Sequence, residues 1–374
     1  MNRRSIESTV AFAVVVLTHV VAIPAFSQSD LIGKRVTVIS WNTEFTSATE
    51  TIGRVTVGST FLVNRVEDDR LWIEEKQGYL KRVDVVPYDD AIAHFTSAVK
   101  KSPSAPNFRG RALVWFGRKE YEIAIRDFDE AIRLEPSSAL FQERGDCWEE
   151  LRKNERALAD YTQAITLDAK NATAYVRRGR VLSYQKEKYA EVDRDFTTAI
   201  QIDPKNDAAY LGRALLRANA DKRDAALTDY NEAIRINPNN NEALECRGNT
   251  LENLGRPKDA IRSYEEAIRV APGRCEAYIS LAGLLASSSD ARVRDGAKAI
   301  EYAKKACELD NWKDEDSLTA LAAAYAESGD FKRAVELQTR AINLVGESHR
   351  RHLEPRLKLF RDGKPYHRDT PKVK

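Results

Sequence analysis

The chain has 374 residues, of which 43% are hydrophobic and 31% are charged, a composition of globular proteins rather than of disordered or fibrous ones. Its 59 basic and 57 acidic residues nearly cancel, so no net field favours nucleic acid or an acidic membrane surface. The four cysteines, Cys147, Cys246, Cys275 and Cys307, contain no CxxC pair. We interpret them as four separate small apolar side chains rather than as disulfides.

The N-terminus has the pattern of an export signal. Two arginines precede an apolar run from Val10 to Ile23, and the small-x-small sequence Ala25-Phe26-Ser27 follows. This pattern predicts a signal peptide over residues 1–27, cleaved near Ser27, and a periplasmic or secreted protein. An uncleaved anchor is the alternative, although the run is shorter than the roughly 18 to 20 apolar residues that span a bilayer. No later run approaches that length, so we expect no transmembrane helix in the mature chain.

Residues 31–87 consist of short β-branched runs between turn signals. The runs are KRVTVIS, TIGRVTV, TFLVNRV, LWIEE and GYLKRVDVV. They predict about five short strands in a small barrel or sandwich. The sequences Trp72-Ile73, Gly78-Tyr79-Leu80 and Asp84-Val85 resemble the end of a bacterial SH3-like domain, with Tyr79 where that family usually has Trp. The resemblance implies a groove for peptides or cell-wall material; the alternative is that Trp41, Trp72 and Tyr79 are core aromatics.

From residue 105 the sequence repeats with a period near 34 residues. We number the residues of each copy from 1 to 34, so that the proline that ends four of the copies is position 32. In this numbering, position 27 is always Ala and position 20 is always a small residue. Position 24 is usually aromatic, position 4 is large and position 8 is small, which places apolar stripes on two helices per copy. The position-27 residues are Ala131, Ala164, Ala199, Ala233, Ala267, Ala306 and Ala341. The pattern resembles the tetratricopeptide repeat (TPR), which implies antiparallel helix pairs stacked into a superhelical solenoid.

The resemblance implies about seven full repeats within residues 105–346. Their predicted starts are Pro106, Ser138, Ala172, Asp207, Asn241, Cys275 and Glu315. The third repeat has one extra residue before Tyr189, and the sixth has an insertion around residues 287–296. The insertion SSSDARVRDG, the sequence ACELDNW at 306–312 and the terminal DGKPYHR resemble the closing repeats of exported bacterial proteins that join an SH3-like domain to such repeats. The expected fold is therefore an all-α TPR solenoid preceded by a small all-β SH3-like barrel.

Two shorter segments flank the repeats. Residues 88–103 match only the second helix of a repeat, so we expect the β domain to dock against this half repeat and cover its apolar stripe. Residues 347–374 comprise a C-terminal capping helix and a tail that we expect to fray after Gly363.

The sequence shows no arrangement typical of an enzyme. Ser97 and Lys100 have the S-x-x-K spacing, but they flank a packing alanine and neither SDN nor KTG occurs. HExxH, GxSxG and glycine-rich nucleotide-binding patterns are also absent. His349, His352 and His367 are a weak metal candidate, for which a basic cap is the better interpretation. We therefore predict no catalytic residues, no cofactor and no metal site.

Two charged positions recur together in the repeats. Position 7 is Arg in five repeats, position 23 is Asp in four of the same ones, and both are absent from the last two repeats. Because the Arg and the Asp are present in the same repeats and absent from the same repeats, we predict ion pairs between the paired helices. The alternative is that each charge is solvated separately. The predicted pairs are Arg111 with Asp127, Arg144 with Asp160, Arg178 with Asp195, and Arg213 with Asp229.

The predicted partner-binding surface consists of positions 5, 9 and 12 of the first helices, because positions 4, 8 and 11 are used for packing. In the resembling family this stripe lines the concave groove. The candidates are Arg109, Phe116, Gln142, Asp146, Arg180, Leu211, Leu215, Glu245 and Asn249. We expect a ligand with apolar side chains near Leu211 and Leu215, a negative group near Arg180 and a positive one near Glu245.

These observations favour a non-enzymatic scaffold outside the cytoplasm that binds a partner protein or peptide in the TPR groove. The alternative is an envelope-anchoring module, in which the SH3-like barrel holds cell-wall material and the repeats act as a spacer. No nucleic-acid partner is expected.

Overall fold

The computed structural model describes residues 31–40, 43–47 and 51–368. The predicted signal peptide and Trp41 lie outside the described residues. The chain forms two compact units that meet in sequence between Pro136 and Ser137. Over the described residues, the first unit contains eight strands and three α-helices, and the second contains thirteen α-helices. None of the helices in this part of the chain combines the length and the apolar character needed to cross a membrane.

The strands of the first unit form two antiparallel sheets. Their bounds are β1 Arg35–Val38, β2 Glu44–Thr46, β3 Thr51–Arg54, β4 Thr60–Leu62, β5 Arg65–Glu67, β6 Arg70–Ile73, β7 Gly78–Lys81 and β8 Val85–Pro87. One sheet has the order β4-β1-β8 and the other has the order β3-β2-β7-β6-β5. Side chains alternate between the two faces of a strand, and the buried ones, such as Val36, Leu71 and Leu80, form one core.

The prediction of about five strands was wrong, because two of the predicted runs each contain two strands. The run TFLVNRV is interrupted at Asn64, whose side-chain Oδ1 accepts a hydrogen bond from the Glu74 main chain at 2.9 Å. The run GYLKRVDVV is interrupted by a 3-10 turn at Arg82–Asp84. Strand β2 was not predicted, because it has only three residues and polar neighbours.

Sixteen α-helices follow the strands in the described chain. Their bounds are α1 Ala91–Lys101, α2 Ala105–Gly117, α3 Tyr121–Leu134, α4 Ser138–Glu150, α5 Asn154–Leu167, α6 Ala172–Leu182, α7 Tyr189–Ile202, α8 Asp207–Asn219, α9 Arg223–Ile236, α10 Asn241–Asn253, α11 Pro257–Val270, α12 Glu276–Ser287, α13 Gly296–Leu309, α14 Glu315–Glu327, α15 Phe331–Leu344 and α16 Glu347–Arg361. Helices α2 to α15 form seven pairs, and each pair begins within one residue of its predicted start.

The two helices of a pair approach closely where position 8 meets the aromatic ring at position 24. A Cβ atom on Gly145 would lie 2.7 Å from the Tyr161 ring, and one on Gly248 would lie 2.4 Å from the Tyr264 ring. Both rings are fully buried. The large partner of position 8 in these repeats is therefore the aromatic residue at position 24.

The half repeat α1 is covered on both sides within the first unit. Its Ala91 and Phe95 are buried together with Val57 and Val86 of the β domain and Val114 of α2. The β domain and the first helices therefore share one apolar contact, which fits the docking expected from the sequence.

The two irregular repeats of the second unit keep the helix pairing. The extra residue before Tyr189 is taken up by a 3-10 turn at Lys186–Lys188. The insertion in the sixth repeat folds back between α12 and α13, with Val293 buried. Arg294, also in this insertion, donates a hydrogen bond from Nε to Glu327 at 2.8 Å. The insertion is therefore fixed to the first helix of the seventh repeat.

Helix α16 covers the end of the second unit with Leu353, Leu357 and Phe360, all of which are buried. The expectation that the tail frays after Gly363 was wrong for residues 364–368. The main-chain N–H of Arg368 donates to the Ser287 carbonyl at 2.8 Å, so this segment returns to α12.

Candidate functional site

A cavity of about 910 Å³ opens between α6 and α8, the first helices of the third and fourth repeats. Val176, Leu211, Leu215 and Leu216 form most of its apolar wall. Helix α7 contributes Phe196 to the same wall. We call this space the α6–α8 cavity.

The lining of the α6–α8 cavity also includes polar residues, among them two tyrosines. Tyr184 is at the rim and is 80% exposed. Tyr189 also lines the cavity, and its hydroxyl is buried without a hydrogen-bond partner among the described residues.

The cavity brings together three of the nine residues predicted to bind a partner, namely Arg180, Leu211 and Leu215. Gln142 and Asp146 lie on α4, Glu245 and Asn249 lie on α10, and none of these four is in the cavity lining. Arg109 and Phe116 lie on α2 in the first unit.

Several of these candidates are engaged in contacts within the chain. Arg109 is half-buried, and Phe116 packs edge-on against Tyr121 with ring centres 5.4 Å apart. The Gln142 side-chain oxygen accepts a hydrogen bond from Asn171 at 3.3 Å. Phe116 and Gln142 therefore each contact a neighbouring side chain of the same chain.

The charged side chains near Arg180 already pair with one another. Arg180 Nη2 lies 2.8 Å from Oε1 of Glu149, and Arg177 Nε lies 3.2 Å from Oδ1 of Asp146. The Tyr161 hydroxyl lies within hydrogen-bond distance of both carboxylates, 2.8 Å from Asp146 and 2.9 Å from Glu149. Burial raises the pKa of Asp146, although Arg177 opposes the shift. Arg180 therefore already has a carboxylate partner, which weakens the expectation of a negative ligand group beside it.

Helix α10 has the same kind of internal bonding. The Tyr264 hydroxyl donates to the Asn249 side chain at 2.6 Å, and Asn241 donates to Glu245 at 2.6 Å. Burial raises the pKa of the Glu245 carboxyl. In the second and fifth repeats the position-9 residue therefore accepts a hydrogen bond from the tyrosine at position 24. The sequence signal for this bond was a polar residue at position 9 combined with a tyrosine at position 24.

The four predicted Arg–Asp pairs are joined by two hydrogen bonds each. In the third repeat, Arg178 donates from Nε and Nη2 to the two Asp195 oxygens at 2.8 and 2.7 Å. The other three pairs, Arg111 with Asp127, Arg144 with Asp160, and Arg213 with Asp229, have the same arrangement at 2.6–2.9 Å. The Asp195 side chain is 3% exposed and the Arg178 side chain 18% exposed. This geometry is that of a buried, bidentate structural ion pair.

Arg247 of the fifth repeat shows how the pair is replaced when position 23 is not Asp. Its Nε donates to the Ser263 hydroxyl at 2.8 Å, and its Nη2 donates to Glu266 at 2.6 Å. The acidic partner of Arg247 is therefore Glu266, at another position of the second helix. A comparison of position 23 alone does not reveal this partner.

Among residues 31–40, 43–47 and 51–368, no group of three or more His, Cys, Asp or Glu side chains is placed to hold a metal ion. His349 and His352 lie on α16. His367 instead has its Nε2 2.6 Å from Oε2 of Glu327.

The β domain presents a second candidate surface. Trp72 and Tyr79 are half-buried, lie on the strand faces opposite to the core, and have ring centres 4.9 Å apart. Arg65 lies over the Trp72 ring and Arg70 over the Tyr79 ring. The alternative that these two aromatics belong to the core is therefore wrong. A separate cavity of about 590 Å³ is lined by residues that include Phe45, Ile52, Phe61 and Lys76, although Phe45 and Phe61 also belong to the core.

Models of one repeat family match three segments of the chain. Tetratricopeptide repeat models match residues 109–172, 208–240 and 241–274. These segments are tetratricopeptide repeats. With the helix pairs described above, residues 105–344 form a TPR solenoid preceded by a small β domain.

Solved structures of TPR proteins are similar to this chain. A tetratricopeptide repeat protein from Parabacteroides merdae is 17% identical over 72% of this chain and 99% of its own, with a TM-score of 0.49. Yeast Tom70 is 19% identical over 74% of this chain and 59% of its own, with a TM-score of 0.48. YrrB, described as a TPR protein with an unusual peptide-binding site, is 19% identical over 50% of this chain and 97% of its own, with a TM-score of 0.40. No curated protein sequence matches the chain.

Proposed function

We propose that this protein is a non-enzymatic scaffold that acts outside the cytoplasm and binds a partner protein or peptide in the α6–α8 cavity. The observation that carries the proposal is the size and apolar lining of that cavity, about 910 Å³. Ligand pockets typically have volumes of roughly 300 to 1,000 Å³ and are mostly apolar with a few polar groups. Repeats of this type provide binding surfaces rather than catalytic groups. The signal-like N-terminus supports action outside the cytoplasm.

The lining of the cavity indicates the chemistry of the ligand. Leu211 and Leu215 would bury an apolar side chain of the ligand. An acidic ligand group is not required, because Arg180 pairs with Glu149. The expected ligand is a peptide segment with a large apolar side chain.

A photo-crosslinking experiment tests where the partner binds. A crosslinking amino acid in place of Tyr184, at the rim of the cavity, should capture the partner in an envelope extract, where the proposal expects it. The same amino acid in place of Leu167, which is 45% exposed on α5, is the matched control. Capture from both positions alike would place the partner elsewhere.

Once the partner is identified, substitution of the cavity wall tests its contribution to affinity. Leu211→Asp combined with Leu215→Asp should weaken binding by about tenfold or more, because it places charge where an apolar side chain binds. Leu167→Asp should leave the dissociation constant unchanged. Circular dichroism must show that the double variant is folded. Undiminished affinity in a folded double variant would refute the α6–α8 cavity as the site.

The second candidate function is envelope anchoring through the β domain. It is favoured by the Trp72–Tyr79 pair, whose rings lie outside the core beside Arg65 and Arg70. Aromatic rings of this kind provide flat apolar surfaces with polar edges. If this function is correct, the protein should sediment with peptidoglycan, and Trp72→Ala with Tyr79→Ala should abolish sedimentation, whereas Tyr184→Ala should not.

A further inference from the structure

The C-terminal segment of residues 364–368 lies along the first helices of the last three repeats. Tyr366 packs under Arg356, whose guanidinium carbon is 4.4 Å from the ring centre. The main-chain N–H of Arg368 donates to the carbonyl of Ser287 at the end of α12. The segment therefore makes an extended-chain contact with a helix C-terminus as well as side-chain contacts.

One carboxylate that meets this segment is held in place from its other side. His367 Nε2 is 2.6 Å from Oε2 of Glu327, while Arg294 donates to Oε1 of the same side chain at 2.8 Å. The Glu327 side chain is 16% exposed. Because Arg294 fixes its orientation, Glu327 presents one oxygen in a defined direction to the incoming imidazole.

A second carboxylate meets the end of the segment through a gap in α12. The Arg368 guanidinium pairs with Glu252 of α10, whose side chain is 19% exposed. A Cβ atom on Gly283 would lie 3.1 Å from Nη2 of Arg368. Gly283 occupies position 9, where every other full repeat has a side chain: Leu113, Asp146, Arg180, Leu215, Asn249 and Ala323. The missing side chain leaves room for an arginine to cross α12 and reach Glu252.

We propose that Glu252, Gly283, Ser287 and Glu327 form a binding site for an extended peptide segment with an arginine side chain, and that residues 364–368 occupy it as an intramolecular ligand. The site lies on α10, α12 and α14, so it is separate from the α6–α8 cavity and does not depend on it. A tethered ligand has a high effective concentration, and an external segment of the same chemistry must compete with it. A partner therefore binds here only when its concentration and affinity are high enough to displace the tail.

The proposal is tested with a full-length variant in which the tail no longer binds the site. This variant, called the released variant, has His367→Ala and Arg368→Ala, which remove the side chains that contact Glu327 and Glu252. A labelled peptide GKPYHR with blocked ends should bind this variant at least about tenfold more tightly than the wild type, as measured by fluorescence anisotropy. The same peptide with alanine in place of arginine should not bind. Equal affinities for the two proteins, or binding that does not require the arginine, would overturn the proposal.

Two further substitutions in the released variant identify the carboxylate that binds the peptide. Glu252→Gln should abolish peptide binding. Glu301→Gln, which changes an exposed carboxylate on α13, should not affect it. Retained binding after Glu252→Gln would place the peptide elsewhere.

Gly283→Leu provides a test that leaves the tail sequence intact. Leucine favours a helix more than glycine does, so α12 should be preserved while the leucine side chain fills the space of the Arg368 guanidinium. Trypsin should then cleave after Arg368 at least about tenfold faster than in the wild type, because the protease can bind residues 364–368 only when they leave the surface of the protein. Cleavage after Arg361 at the end of α16 should be unchanged. Equal rates after Arg368 in both proteins would show that the tail is not held at this site.

Discussion

At the scale of single residues, the Arg–Asp pairs place charge at the interface between two helices. Withdrawing both charges from water costs free energy that their attraction only partly recovers, whereas removing one partner strands the other. We therefore expect the pairs to affect how the helices meet more than they add stability. The fourth pair is a special case, because Arg217 also donates to Asp229, at 2.8 Å.

The Arg178–Asp195 pair allows the cleaner test. Asp195→Ala should lower the free energy of unfolding by roughly 2 to 4 kcal/mol, because the Arg178 guanidinium then loses the carboxylate to which it donates two hydrogen bonds. Arg178→Leu together with Asp195→Ala should cost less than Asp195→Ala alone, since no charge is stranded. Urea unfolding of the three proteins measures the difference. Equal and negligible effects would mean that the two charges are simply solvated.

The buried carboxyl of Asp146 should make stability depend on pH. Burial raises its pKa in the folded protein, while an unfolded aspartate titrates near about 3.9. The folded state then keeps the proton to a higher pH, so this group's contribution to stability falls as pH rises above about 4. The Asp146→Asn variant has no ionisable group at this position, so it does not lose this contribution as pH rises. The difference in unfolding free energy, variant minus wild type, should therefore increase between about pH 4 and 7. For the control Glu301→Gln, which changes an exposed carboxylate, the difference in unfolding free energy from the wild type should not change with pH.

At the scale of helices, the glycine at position 8 sets how closely a pair packs. Gly248→Ala gains up to about 1 kcal/mol of helix propensity. The new Cβ would however lie 2.4 Å from the Tyr264 ring, and such overpacking costs about 1 to 3 kcal/mol. We expect a net loss of stability in urea unfolding. Gly273→Ala, where no atom lies within 4 Å of the new Cβ, is the control. A stabilised Gly248→Ala variant would show that the pair separates without cost.

The helices could be predicted well from the sequence because their signals recur. Each copy has the same alanines at fixed positions, so an error in one copy is corrected by the others, and the starts of the helix pairs agree to within one residue. The β domain has no such redundancy. Its strands are as short as three residues, and turns such as Arg82–Asp84 lie inside apolar runs, so a run did not correspond to a strand.

The candidate site was less predictable than the fold, because it depends on which neighbours a side chain meets. The spacing of Leu211 and Leu215 placed them on one face, but only the structure shows the cavity that they line. Asp146 has the same spacing and instead accepts a hydrogen bond from Tyr161. The return of Arg368 to Ser287 joins residues far apart in sequence, which no periodicity could indicate.

At the scale of the whole molecule, we expect the N-terminal signal to be removed on export. The residues after the apolar run follow the small-x-small rule. The protein purified from its native envelope should therefore begin near Gln28, which intact-mass measurement or N-terminal sequencing determines. A protein that retains Met1 would support the uncleaved anchor.

Export would also place the four cysteines in an oxidising compartment, where disulfides form readily. All four are free in the structure, and Cys147 and Cys307 are buried. Burial raises the pKa of Cys246 to about 11 and that of Cys307 to about 12, and it raises the pKa of Cys147 as well. Since the thiolate is the reactive form, these three thiols should resist both oxidation and alkylation at neutral pH. Alkylation of the exported protein in denaturant without a reductant should therefore add four groups by mass, and addition of only two would indicate a disulfide.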